Sequence, residues 1–191
     1  MPRVKSERIS EKFVSKESLG AYKFKIVEYS TRHDLWIQFE DKHGARVHTN
    51  YNNCQKGEVK NPYHKSVYGV ACLGLMSDGS KPKITINGKN TREYSMWHSM
   101  IKRCYSEKGR EKNPTYKNCS VCDRWLVYAN FLEDLPKIEN YKLWKNNDGY
   151  ALDKDLKQQN VENKVYSLET CCFVTQSDNN KEMNSRRWFR A

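Results

Sequence analysis

No stretch of this 191-residue chain approaches the roughly 18 consecutive apolar residues that a membrane-spanning helix needs. Met1 is followed by PRVKSERISEKF, which lacks the apolar core of a secretory signal, so a cytoplasmic location is expected. The seven cysteines are an odd count, and without an export signal they argue against a disulfide framework. Acidic residues are in deficit: 23 Asp and Glu face 34 Lys and Arg, a net charge of +11. Histidine is absent beyond His98; the five are His33, His43, His48, His64 and His98. What is present argues against disorder, because aromatic residues make up 12% of the chain and supply core. The length suits one compact domain or two small ones. Excess positive charge points to a polyanion, most commonly nucleic acid; a basic surface that serves solubility alone is the plainer alternative.

The cysteines are Cys54, Cys72, Cys104, Cys119, Cys122, Cys171 and Cys172. Cys119-Ser-Val-Cys122 has the spacing of a metal knuckle, in which a tight turn presents two thiolates to one ion. A structural zinc needs four ligands, and Cys104 and Cys171 (with Cys172 beside it) are the candidates to complete the set. Buried, unreactive thiols are the competing reading. No strand-to-helix pattern of the thioredoxin kind surrounds the pair, which disfavours a redox role.

Along the chain, 1–19 reads as a basic polar arm, 20–89 as a β-rich accessory or DNA-binding domain, and 90–191 as a second domain with a basic tail. Tyr22, Phe24 and Ile26 alternate on one face of a strand, and Leu35–Phe39 forms a second. Asp41–Gly44 is the expected turn, and Arg46–Tyr51 the returning strand. Met76–Lys83 is turn-rich, and a short strand, Ile84–Asn87, follows it. Thr91 is a candidate N-cap for a helix over 91–108, in which Tyr94, Trp97, Ile101 and Cys104 recur at helical spacing. Met100 widens that stripe, and Lys102, Arg103 and Lys108 lie on the opposite face. A second helix, Trp125–Leu135, buries Trp125, Phe131, Leu132 and Leu135 and ends at Pro136.

The last fifty residues carry most of the chemistry. Tyr150–Lys154 reads as a strand containing Asp153, followed by a polar loop, a strand at Cys172–Thr175, and a helix capped by Thr175 or Ser177. Strand, loop, strand and helix can bring a strand-end carboxylate close to a helix amide such as Asn179, Asn180 or Asn184. Asp and Asn oxygens are hard ligands suited to Mg²⁺ or Mn²⁺, which polarises a scissile phosphate. The plainer reading makes Asp153 a turn residue and the Asn run a helix cap.

The segment 97–184 resembles phage HNH endonuclease-like proteins of the His-Me finger (ββα-metal) group. The matching residues are Trp97-His-Ser-Met100, Lys102-Arg-Cys-Tyr105, Tyr116-Lys-Asn-Cys-Ser-Val-Cys-Asp-Arg-Trp125, Asn130-Phe131, Leu152-Asp-Lys-Asp155, Lys164-Val-Tyr-Ser167, Glu169-Thr-Cys171 and Phe173-Val174, with Asn179 beyond. They cover nearly half of the chain in a fixed order. More loosely, Gly57–Tyr63 and Val67-Tyr-Gly69 resemble accessory domains attached to such nucleases. The resemblance implies an α+β protein: a small N-terminal β-rich domain, then a ββα-metal domain with flanking helices and a four-cysteine zinc site. It implies that Asp153 and Asn179 hold Mg²⁺ or Mn²⁺.

The chain departs from the family pattern at two positions. Lys154 stands where the family keeps the His that acts as general base, and Thr170 stands where an Asn orients that His. A base near neutral pH needs a pKa near the working pH, which His has and an ordinary Lys does not. His98 is the nearest other candidate in sequence, and a solvent-facing role is the simpler reading for it.

The first expectation is a DNA endonuclease with Asp153, Lys154, Thr170 and Asn179 at its centre. Lys102, Arg103, Arg110, Lys112, Arg186, Arg187 and Arg190 would contact the phosphates of double-stranded DNA, and Trp188 would stack or be buried. The zinc set would be Cys104, Cys119, Cys122 and Cys171. The second expectation is the same scaffold without catalysis, a DNA-binding accessory or an inhibitor docking on a host enzyme. A zinc-stapled structural protein of a phage particle is a third. Either a monomer or a homodimer fits.

Overall fold

The computed structural model describes residues 5–112 and 114–178. Asn179, Asn180, Asn184, Arg186, Arg187, Trp188 and Arg190 lie outside the described residues. The protein is of the α+β class and divides into two compact units, 1–65 with 72–81 and 66–71 with 82–191. Among the described residues, no helix is long and apolar enough to cross a membrane.

The first unit is a four-stranded antiparallel meander of β1 (Lys12–Val14), β2 (Lys23–Thr31), β3 (Asp34–Phe39) and β4 (Arg46–Thr49). Side chains alternate across a strand, so Phe24, Ile26, Leu35, Ile37, Phe39 and Val47 share one buried face. Part of the expected arm is therefore edge strand. Phe13 pairs with Phe24 in the ladder and stacks on its ring at 5.8 Å, which supplies the apolar contact that holds so polar a segment down. On the outer face, Arg46 pairs with Glu28 and His48 with Asp34, so that face carries charges of both signs.

The returning strand is shorter than expected. Asn50 accepts a hydrogen bond from the Asn53 amide and starts α1 (Tyr51–Lys56), turning Tyr51 and Cys54 into the core. Gly57 ends the helix at φ +65°, and a Cβ there would sit 2.8 Å from the Val14 carbonyl oxygen.

The second unit opens with a tight hairpin, β5 (Thr85–Ile86) and β6 (Lys89–Asn90), turned by Asn87 and Gly88, both at positive φ. The Thr91 amide donates to the Ile84 carbonyl at 2.9 Å, tying this hairpin to the following helix. The division between units accordingly falls at 81–82, ahead of the expected 89–90. Thr91 caps α2 (Arg92–Tyr105), accepting from the Tyr94 amide. The stripe Trp97, Met100, Ile101 and Cys104 is fully buried, as the spacing predicts. Ser106 breaks the helix two residues before its expected end. Its hydroxyl accepts from the Gly109 amide and starts α3 (Glu107–Lys112).

After α3 come β7 (Ser120–Val121), α4 (Tyr128–Asp134), α5 (Tyr141–Asn146), β8 (Tyr150–Asp153), β9 (Val165–Tyr166) and β10 (Cys172–Thr175). The second expected helix is thus a 3-10 turn, α4 and a further 3-10 turn at Pro136. Trp125 and Phe131 are buried, as is Tyr128, which the sequence pattern did not single out. The Trp97 indole donates to the Trp125 carbonyl at 2.7 Å, and the Trp125 indole donates to Asp134 at 3.1 Å. Strands β8 and β10 pair antiparallel, while β7 and β9 form a separate parallel pair.

Candidate functional site

Strand β8 ends at Asp153, directly across the ladder from Cys172 on β10. Residues 176–178 are helical, and Thr175 Oγ1 accepts from the Asp178 amide, so Thr175 is the cap. The expected order of strand, loop, strand and helical turn is therefore present. Among the described residues, the side chains expected at its centre each have their own local partners.

Asp153 is 5% exposed, and its Oδ1 accepts from two backbone amides, Asp155 N at 2.9 Å and Leu156 N at 2.7 Å. That is an Asx-type turn, the role the plainer reading gave it. Lys154 follows with its side chain also 5% exposed. Its Nζ donates to Asp155 Oδ1 at 2.8 Å and lies 4.7 Å over the Tyr116 ring and 5.5 Å over the Tyr166 ring. Lys164 reaches the same Asp155 oxygen at 2.8 Å. Burial alone would lower the Lys154 pKa, but the hydrogen bond and charge of Asp155 outweigh it and hold the ammonium above the usual lysine value. Lys154 is thus held as an ion-paired ammonium within the loop. Gln158 closes the loop behind it, donating to the Lys154 and Val165 carbonyls at 2.7 and 2.9 Å.

Thr170 Oγ1 donates to the Val165 carbonyl at 2.6 Å and accepts from the Ser167 amide at 3.0 Å. It closes its own turn and orients no base. Of the expected catalytic set, Asp153, Lys154 and Thr170 are each committed to backbone or ion-pair contacts. Asp153 is the one described member of its metal pair, since Asn179 lies outside the described residues.

The four expected zinc ligands have different charged surroundings. Cys119 and Cys122 flank the two residues of β7, and positions three apart along extended chain point to opposite sides. Cys119 neighbours Cys104, Lys154 and Asp155, whereas Cys122 neighbours Glu169 and Asp134. Cys171 lies beside Asp153 and Cys172 instead. Burial pushes Cys104 and Cys171 each up to about 12, as expected of neutral thiols in a core. Among the described residues, no three His, Cys, Asp or Glu side chains are placed to share a metal.

The expected phosphate contacts divide. Lys102 and Lys112 are exposed. Arg110 is exposed as well, although its Nε donates to the Cys104 carbonyl at 2.6 Å and caps the end of α2. Arg103 turns inward, against expectation. Its guanidinium lies 5.4 Å over the Tyr116 ring, and burial leaves its Nε without a partner.

A second feature was only half legible in the sequence. Tyr94 and His98 are one turn apart on α2, with ring centres 5.8 Å apart, and Tyr68 lies 5.3 Å from His98. Lys102, one turn further along, lines an open hollow of about 470 Å³ with Tyr68, Tyr105, Ser106, Glu107 and Lys108. The spacing of 94, 98 and 102 is readable from the sequence. Tyr68 is not, because the loop that carries it lies far away along the chain. No family model, curated protein or solved structure matches the chain.

Proposed function

We propose that the protein binds nucleic acid on an HNH-like scaffold whose Asp153 centre does not cut it. The observation that carries this reading is Lys154. At the position where the resembling family keeps a proton-accepting His, this chain has a buried, ion-paired ammonium with a raised pKa. Losing a general base typically removes about 10²–10⁴-fold in rate. Asp153 Oδ1 already accepts from two backbone amides, as a turn-forming carboxylate does. The binding half of the reading is supported by the net charge of +11 and by the exposed Lys102, Arg110 and Lys112.

The endonuclease reading keeps one observation in its favour, the order of β8, β10 and a capped helical turn with Asp153 at the strand end. Supercoiled plasmid incubated with the protein and Mg²⁺ or Mn²⁺ separates the two. The expected result is a retarded complex that weakens steeply with salt while the plasmid stays supercoiled. Nicking by the wild type that Asp153→Ala abolishes would establish the endonuclease instead.

A further inference from the structure

Tyr68 stands at the tip of a small loop closed by Val67 and Ala71, whose backbones exchange two hydrogen bonds of 3.0 Å. Its φ is +51°, a left-handed conformation that suits Gly or Asn and disfavours an aromatic L-residue. The ring is nevertheless 37% exposed. A strained backbone that presents a large ring to solvent is better explained by use than by packing. Two half-buried rings continue from it. His98 sits 5.3 Å from Tyr68 at 46°, and Tyr94 sits 5.8 Å from His98 at 37°. Tyr94 is anchored in turn against Trp97 and Tyr128, so the run has a rigid base.

Two exposed cations flank these rings, Lys102 on α2 and Lys108 on α3, with Glu107 the one acid lining the hollow. Ring faces beside point cations suit a strand with unstacked bases: each base offers a π-face and each phosphate a negative charge. A duplex keeps its faces stacked inside and offers only phosphates and groove edges.

We infer that Tyr68, His98 and Lys102 form a stacking site for single-stranded nucleic acid. Bases lie on the Tyr68 and His98 rings, and Lys102 and Lys108 take the phosphates. The inference rests on the proposed nucleic-acid-binding function and names a site and a ligand class for it.

The test is fluorescence anisotropy of labelled oligothymidylate, oligouridylate and a DNA duplex, each of about 15 nucleotides, enough for one such site. The variant is Tyr68→Gly, which removes the ring while placing the residue best suited to positive φ, so the loop keeps its shape. His98→Ala serves as an independent second variant. Loss of one stacked base, about 1–3 kcal/mol, corresponds to a roughly 5- to 150-fold weaker Kd. That loss is expected on the single strands and not on the duplex, and comparing the DNA and RNA arms identifies the natural strand. Single-strand binding by the wild type that both variants retain in full would overturn the stacking site and leave the broader reading standing. An equal loss on single strand and duplex would overturn it too. A wild type that binds none of the three would overturn the broader reading, and the site with it.

Discussion

Two regions of the second unit use the same residue types in opposite ways. Around β8, two cations share one carboxylate, Lys154 and Lys164 on Asp155, and Arg103 and Lys154 both lie over the Tyr116 ring. There the rings and charges face one another and are mostly buried. On the outer side of α2, Tyr68, Lys102 and Lys108 also join a ring to cations, but exposed and beside an open hollow, with the half-buried His98 against Tyr68. A basic, aromatic cluster therefore signals a ligand only where its partners have not been supplied by the protein itself. The first region holds the fold together, and the second is left for something else to complete.

That contrast is broken most severely by removing a charge from the first region. Asp155→Ala strands a buried Lys154 and should cost about 3–5 kcal/mol, read as a lower denaturant midpoint. Adding Lys154→Met should restore much of it, because the stranded charge is then gone. In the second region, Lys102→Ala should leave the midpoint within about 0.5 kcal/mol. An Asp155→Ala protein as stable as the wild type would erase the distinction.

A smaller effect tests the same logic through pH. Burial pushes the Asp134 carboxyl up, but hydrogen bonds from Arg124, Lys137 and the Trp125 indole bring it down to about 2. A depressed carboxyl stabilises the fold while ionised. The contribution is therefore complete above the ordinary value of 3.8 and fades as the pH falls towards about 2. It amounts to about 2 kcal/mol. Acid unfolding of Asp134→Asn should lose that part of the pH dependence, and an unchanged acid limb would contradict it.

The smallest expected effect is on binding. If Lys102 contacts one phosphate, Lys102→Ala should lower the salt slope of DNA binding by about one. An unchanged slope would remove Lys102 from the interface.

Much of the fold was legible because local patterns agree with it. Alternating Phe24 and Ile26 gave a strand face, Thr91 a cap, and the spacing of Trp97, Ile101 and Cys104 a buried helix stripe. What was hidden depends on contacts distant in sequence. Phe13 joins the sheet because Phe24 is there to receive it, and β7 forms because β9 pairs with it. That pairing also places a two-residue strand between Cys119 and Cys122, which their spacing does not show. The candidate site shows the same division. Asp153 and Lys154 stand in the sequence where the resemblance puts them, yet the role of Lys154 was decided by Asp155, Tyr116 and Tyr166 folding around it. Arg103 and Lys102 are neighbours in sequence that belong to opposite regions, because a helix turns about 100° per residue.

The proposed function has two halves, binding of nucleic acid and no cleavage of it. A single gel of supercoiled plasmid with protein, Mg²⁺ and Mn²⁺, run before and after protein removal, reads both halves of it. The expected outcome is a retarded band at low salt that returns to fully supercoiled plasmid once the protein is stripped away. Open-circular or linear product from the wild type, absent with Asp153→Ala, would contradict it, and so would a plasmid that is never retarded.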